Sequence, residues 1–179
     1  MSSHFAFITD NHHNGTQGAR QILEALVPQV NALDPDFIIH GGDIVAAGRG
    51  SKVLDGGYLT AIQEAADLLK GFRGPLHIIP GNHDGNAEDG ALSEFSAHIP
   101  IPDLLDVVEA GPGLRLALAN VFTVEPFKNA EGVWTDAHDT ALKEAAADAL
   151  GNRCALLLIT HTMGAGTQAS AGRDSSRSR

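Results

Sequence analysis

Leu76-His77-Ile78-Ile79-Pro80-Gly81-Asn82-His83-Asp84 is an apolar run that breaks at Pro80-Gly81 and then delivers an amide, an imidazole and a carboxylate in succession. A short apolar stretch bounded by turn formers reads as a strand. Upstream, 58–72 has helical spacing, with Leu59, Ile62, Ala66 and Leu69 on one face and Gly71 and Gly74-Pro75 closing it. Before that, Phe37-Ile38-Ile39-His40 reads as a second strand running into Gly41-Gly42-Asp43. A helix over 17–33 precedes it, with an apolar stripe at Ile22, Leu26, Val30 and Leu33. Pro28 is expected to kink or divide that helix. Phe5-Ala6-Phe7-Ile8-Thr9 is the first strand, a nearly continuous apolar run expected to be buried on both faces, and runs into Asp10-Asn11-His12. The order strand, helix, strand, helix, strand predicts a parallel βαβαβ unit with right-handed crossovers.

Downstream the pattern loosens. Weak helix is expected near 92–98. A strand over 105–109 is expected to pair with one over 114–124 across Gly111-Pro112-Gly113, and a helix is expected over 140–150 with Gly151 as its C-cap. Ala155-Leu156-Leu157-Leu158-Ile159-Thr160 then leads into His161. Four strands thus end on side chains that can ligate metal, and in open α/β sheets ligands collect beyond the carboxyl ends of strands.

The residue types suggest the chemistry. Asp10 and His12, two apart after a strand, can both face one ion while Asn11 points away. Asp43 offers two oxygens and could bridge two ions; Asn82 offers a neutral carbonyl oxygen and His161 an imidazole nitrogen. Mixed nitrogen and oxygen ligation suits Zn, Mn or Fe better than Ca. Two such ions about 3.5–4 Å apart would activate a bound water and clamp an in-line displacement at phosphorus. His83 is placed to donate a proton to the leaving oxygen, with Asp84 orienting its imidazole. Turn-forming preference explains Asp, Asn and Gly after strands, but not three histidines. His40 and His77 read as packed core residues, His13 as an exposed neighbour of the site, His98 and His138 as surface residues, and Trp134 as a packing anchor. Arg49 reads as a solvated side chain.

Taken in order, Asp10-Asn11-His12, Gly42-Asp43, Gly81-Asn82-His83-Asp84 and the strand-end His161 resemble the calcineurin-like metallophosphoesterases, over about 5–163. The resemblance implies a four-layered αββα sandwich of mixed α/β class. It also implies hydrolysis of a phosphomonoester or phosphodiester by a metal-bound hydroxide at a dinuclear site. One metal would take Asp10, His12 and Asp43; the other would take Asp43, Asn82 and His161; His83 and Asp84 would be the catalytic pair. The family's final Gly-His-x-His element has no counterpart before Arg179, and 164–179 is rich in Gly, Ala, Ser and Arg. The expectation is a C-terminally incomplete domain over 1–163 followed by a disordered tail. The competing expectation is a catalytically impaired remnant that binds metal weakly or serves as an interaction module.

The gross numbers exclude other classes. A net charge of -10 is ill suited to tight binding of nucleic acid through its phosphates. A lone cysteine forbids an intrachain disulfide. No apolar run approaches the ~20 residues needed to span a bilayer. The expectation is a soluble cytoplasmic protein acting on a small phosphate ester, with homo-oligomerisation left open.

Overall fold

The computed structural model describes residues 3–46, 57–85, 91–122 and 132–161. The 164–179 tail and Arg49, like most of the 46–57 loop, lie outside the described residues. Among the described residues the chain forms two three-stranded sheets. The first holds β1 (Phe5–Ile8), β2 (Phe37–His40) and β3 (Leu76–Ile78), all parallel and in sequence order. The second holds β4 (Leu105–Gly111), antiparallel to β5 (Leu114–Ala119), with β6 (Ala155–Ile159) parallel to β5. The helices are α1 (Gln17–Ala32), α2 (Gly57–Leu69), the short α3 (Ser93–Ser96) and α4 (Asp136–Gly151).

Strand alternation builds the layers. In β2, Phe37 and Ile39 face the second sheet, packing with Ile79, Leu116, Leu118 and Ile159 into a dry interlayer. Ile38 points the other way, into a core with Val30, Ala61, Ile62, Ala65 and Leu69 from α1 and α2. Helix α4 covers the far side of the second sheet through contacts with β4, β5 and β6. The result is helix, sheet, sheet, helix, the architecture expected. Strand β2 is buried at all four positions, as a central strand with both faces covered must be; β1, expected to be covered likewise, is an edge strand among the described residues and leaves Phe5 and Phe7 43% and 53% exposed.

Several local expectations shift. Helix α1 is not divided at Pro28, which sits within it. Pro28 is on the exposed side, so the carbonyl left without its helical partner can be hydrated. The buried face of α1 carries Leu23 and Val30, with Leu26 and Val27 partly buried, whereas Ile22 and Leu33 are 63% and 67% exposed. On α2 the buried set is Ala61, Ile62, Ala65 and Leu69, and Leu59 is exposed. Leu26, Val30, Ile62, Ala66 and Leu69 of the expected stripes do meet the core; each face is rotated so that Leu23 and Val27, and Ala61 and Ala65, join them in place of Ile22, Leu33 and Leu59. Helix α4 starts four residues earlier than its apolar spacing implies. A capping box accounts for this, with Thr135 at the N-cap and the His138 ring receiving the Thr135 N–H. Gly151 is inside that helix, and Asn152 caps it.

Candidate metal centre

The carboxyl ends of β1 and β2 are tied together residue by residue. The N–H groups of Asp10, His12 and His13 donate to the carbonyls of Gly42, Asp43 and Ile44 at 3.0, 3.0 and 2.8 Å. This pairing turns both loops outward in step. Asp10, His12 and Asp43 all take positive φ, at 57°, 47° and 54°. Left-handed backbone at a non-glycine residue costs on the order of 1 kcal/mol, and such residues cluster at functional sites. Gly42 has φ 97°, and a Cβ there would come within 2.6 Å of the Gly81 nitrogen and 2.8 Å of His161 Nδ1. Gly81 is equally constrained, since a Cβ would run into the side chain and nitrogen of Asp43. The glycines are therefore what let three loops close on one point.

At that point one ligand atom from each of Asp10, His12 and Asp43 lies within 4.8 Å of the others. His12 Nε2 is 3.6 Å from Asp10 Oδ1 and 3.6 Å from Asp43 Oδ2. His161 Nε2 approaches the same Asp43 Oδ2 at 3.5 Å and Asn82 Oδ1 at 3.2 Å. The structure thus brings all five expected ligands to one rim, with Asp43 Oδ2 common to two imidazoles. Its other oxygen, Oδ1, accepts the His83 N–H at 2.8 Å. His83 itself stands edge-on to His12 with ring centroids 4.9 Å apart.

The donor set fits a pair of divalent cations. Donors sharing one ion at about 2.1 Å, at octahedral to tetrahedral angles, lie roughly 3.0–3.4 Å from one another, close to the separations found here. His161 is oriented for ligation, because Nδ1 donates to the Gly41 carbonyl at 2.7 Å and leaves Nε2 facing the carboxylates. Burial works against a charged His161 ring, but the bond to Asp43, the Gly41 carbonyl and the charges of Asp43 and Asp10 outweigh it and push its pKa up to about 9. Burial likewise works against an ionised Asp43, yet His161 and the His83 N–H hold its carboxyl below the usual value. Both shifts describe a carboxylate-rich rim that attracts positive charge.

Asp84 has a different task from the one its position beside His83 suggests. It is fully buried, and its carboxylate accepts main-chain N–H groups: Asp43 and Gly81 to Oδ2 at 2.9 and 2.8 Å, and Val45 to Oδ1 at 2.9 Å. It knots the β2 and β3 loops together. Burial drives its pKa up to about 7, against the pull of these amide donors.

His13 is completely buried rather than exposed, with Nε2 3.0 Å from Glu64 of α2. His138 is also buried, not on the surface: its Nε2 lies 2.8 Å from the Asn120 carbonyl, and Nδ1 accepts from Thr135. The sequence signal for His138 was its place three residues after an N-cap threonine. His40 is buried as expected, His98 is exposed and Trp134 packs against the core. Thr9 Oγ1 donates to Asp10 Oδ2 at 2.7 Å and so orients the first carboxylate.

Known proteins share this frame. A dimetal phosphatase from Danio rerio has a similar solved structure, with a TM-score of 0.63 and 13% sequence identity over 88% of this chain and 68% of that one. At that identity the likeness speaks for the fold. No curated protein matches the sequence. The sequence pattern of the calcineurin-like phosphoesterases matches residues 3–162. With that match spanning both sheets and every strand end that carries a candidate ligand, the chain belongs to the calcineurin-like phosphoesterase family.

Proposed function

We propose that this protein hydrolyses a small phosphate ester at a centre of two divalent cations. Asp10, His12 and Asp43 would hold one ion, and Asp43, Asn82 and His161 the other. The observation that carries this reading is the position of Asp43 Oδ2, 3.6 Å from His12 Nε2 and 3.5 Å from His161 Nε2. One oxygen set between two imidazoles from different sheets suits a bridging ligand. Bound there, Mn, Fe or Zn ions would supply Lewis acidity toward phosphoryl oxygens and acidify water.

The chain's own groups do the rest. Asp43 is kept ionised and fixed in rotamer by the His83 N–H. His161 is held in the tautomer that leaves Nε2 for ligation by the Gly41 carbonyl. His83, partly exposed at the rim beside His12, is placed to give a proton to the departing ester oxygen. No Lys or Arg forms an ion pair with Asp10 or Asp43 among the described residues, so their charge would be offset by the histidines and by bound cations.

The test is hydrolysis of p-nitrophenyl phosphate and bis(p-nitrophenyl) phosphate by protein loaded with Mn2+. Turnover of either, lost with chelator and restored by metal, supports the reading, and the ratio of the two rates assigns monoester or diester preference. Stoichiometric metal binding with neither ester hydrolysed would count against catalysis. A His83→Gln variant should keep its metal and lose roughly 10²–10⁴-fold in rate, the usual range for a lost general acid.

A further inference from the structure

We propose that His40 and Asn11 form a positioning pair for the metal centre, an uncharged clamp holding the Asp10-Asn11-His12 loop against the Gly41-Gly42-Asp43 loop. This rests on the two-ion reading above and adds to it two residues that are not themselves ligands.

His40 ends β2 and is fully buried on the side of the first sheet that faces α1 and α2. Its Nδ1 lies 3.2 Å from the Gly42 nitrogen. A backbone N–H can only donate, so Nδ1 carries the lone pair. Nε2 therefore carries the proton and donates to Asn11 Oδ1 at 2.6 Å. Both ring nitrogens are engaged, which leaves none to reach an ion.

The placement explains why a histidine stands here. Asn11 sits between Asp10 and His12, two residues in left-handed backbone. Gly42, whose N–H the ring accepts, also has positive φ and directly precedes Asp43. One ring thus anchors the residue between two candidate ligands on one loop and the residue before the third on the other. An aliphatic side chain could fill the volume but would give up the side-chain hydrogen bonds to both loops, leaving only the main-chain pairing between them. A lysine or arginine would hold Asn11 but set a cation beside the ions. Burial keeps the His40 ring uncharged, with its pKa down near 4 despite the nearby charges of Asp10 and Asp43.

The test compares Mn2+ binding to the metal-free full chain, by calorimetry and EPR, for the parent protein, Asn11→Ala, His40→Phe, His40→Gln and the Asn11→Ala/His40→Phe double variant. Asn11→Ala and His40→Phe should each weaken Mn2+ binding by about 10–100-fold, the usual effect of losing a group that orients metal ligands. The double variant should be no weaker than the worse single one, because the two residues act through one bond. His40→Gln, whose amide N–H falls near the place of Nε2–H, should recover most of the affinity. Urea unfolding of metal-free Asn11→Ala should stay cooperative with a modestly lowered midpoint, from the His40 Nε2–H that loses its acceptor, and 15N spectra of the parent should show His40 as the Nε2–H tautomer. If His40→Phe fails to fold, Asn11→Ala and His40→Gln still decide. Parent-like Mn2+ affinity in Asn11→Ala would overturn the clamp and leave the two-ion reading standing. A parent protein that binds neither Mn2+ nor Zn2+ would overturn the reading and the clamp with it.

Discussion

The two ends of the strands treat their acids in opposite ways. At the end where β5 and β6 begin, Arg115 pairs with Asp148 and lies 3.5 Å from Glu109. At the other end, where β1, β2, β3 and β6 finish, Asp10 and Asp43 meet only histidines as ionic partners among the described residues. The first arrangement sets each acid against a guanidinium. The second sets two carboxylates among histidines on left-handed backbone, an arrangement that clusters at functional sites. On the metal-centre reading proposed above, the contrast separates a surface ion-pair cluster from one built to take cations.

The sharpest way to break that contrast is Asp43→Asn. The amide keeps an acceptor for the His83 N–H and removes the charge shared by two imidazoles. Hydrolysis should fall about a thousandfold, equal to ~4 kcal/mol in the barrier, with Mn2+ binding lost in calorimetry. Wild-type rates in that variant would end the assignment.

Acidity should tune the same end next. His161 carries a proton up to about pH 9 in the metal-free protein, and a ligating imidazole must give it up. Apparent Mn2+ affinity should therefore rise with pH, by up to about tenfold per unit, and level off above about 9. Stability of the metal-free protein moves the other way. A raised folded pKa contributes fully below the ordinary value of 6.5 and is lost as pH rises through about 9. Calorimetry and urea titrations across that window would show the two slopes crossing, and a flat affinity profile would contradict the assigned role.

Asp84 tests the scaffold beneath the rim. Asp84→Ala leaves three buried amides without acceptors, at a cost of at least about 2 kcal/mol, read as a lower urea midpoint in metal-free protein. The smallest effect is expected at the far end. Arg115→Met should leave Mn2+ affinity and turnover unchanged and shift the melting temperature only slightly, because its acid partners are well exposed. A loss of metal binding there would erase the distinction between the two ends.

The sequence made the rim legible because each ligand follows a strand whose apolar run is unmistakable, and Gly-Asp and Gly-Asn-His-Asp mark turns that tolerate close approach. The layers were legible only through the family resemblance those motifs carry; the continuous apolar run of β2 says no more than that both its faces are covered. The sequence hid what depends on tertiary neighbours. His13 and His138 look exposed by their loop-like surroundings, yet Glu64 and the Asn120 carbonyl bury them. Asp84 reads as a partner for the adjacent imidazole, but its bonds reach 39 and 41 residues back to Val45 and Asp43. The stripes of α1 and α2 were legible at Leu26, Val30, Ile62, Ala66 and Leu69 but not at Ile22, Leu33 and Leu59, because periodicity fixes the spacing of a stripe more firmly than its phase.

The most direct measurement is anomalous diffraction from crystals of the full chain soaked in Mn2+. The account predicts two peaks at the rim, one about 2.2 Å from donors of Asp10, His12 and Asp43 and one about 2.2 Å from donors of Asp43, Asn82 and His161, as transition-metal bonds require. Crystals with no peak there, or with manganese only at other carboxylates, would contradict it.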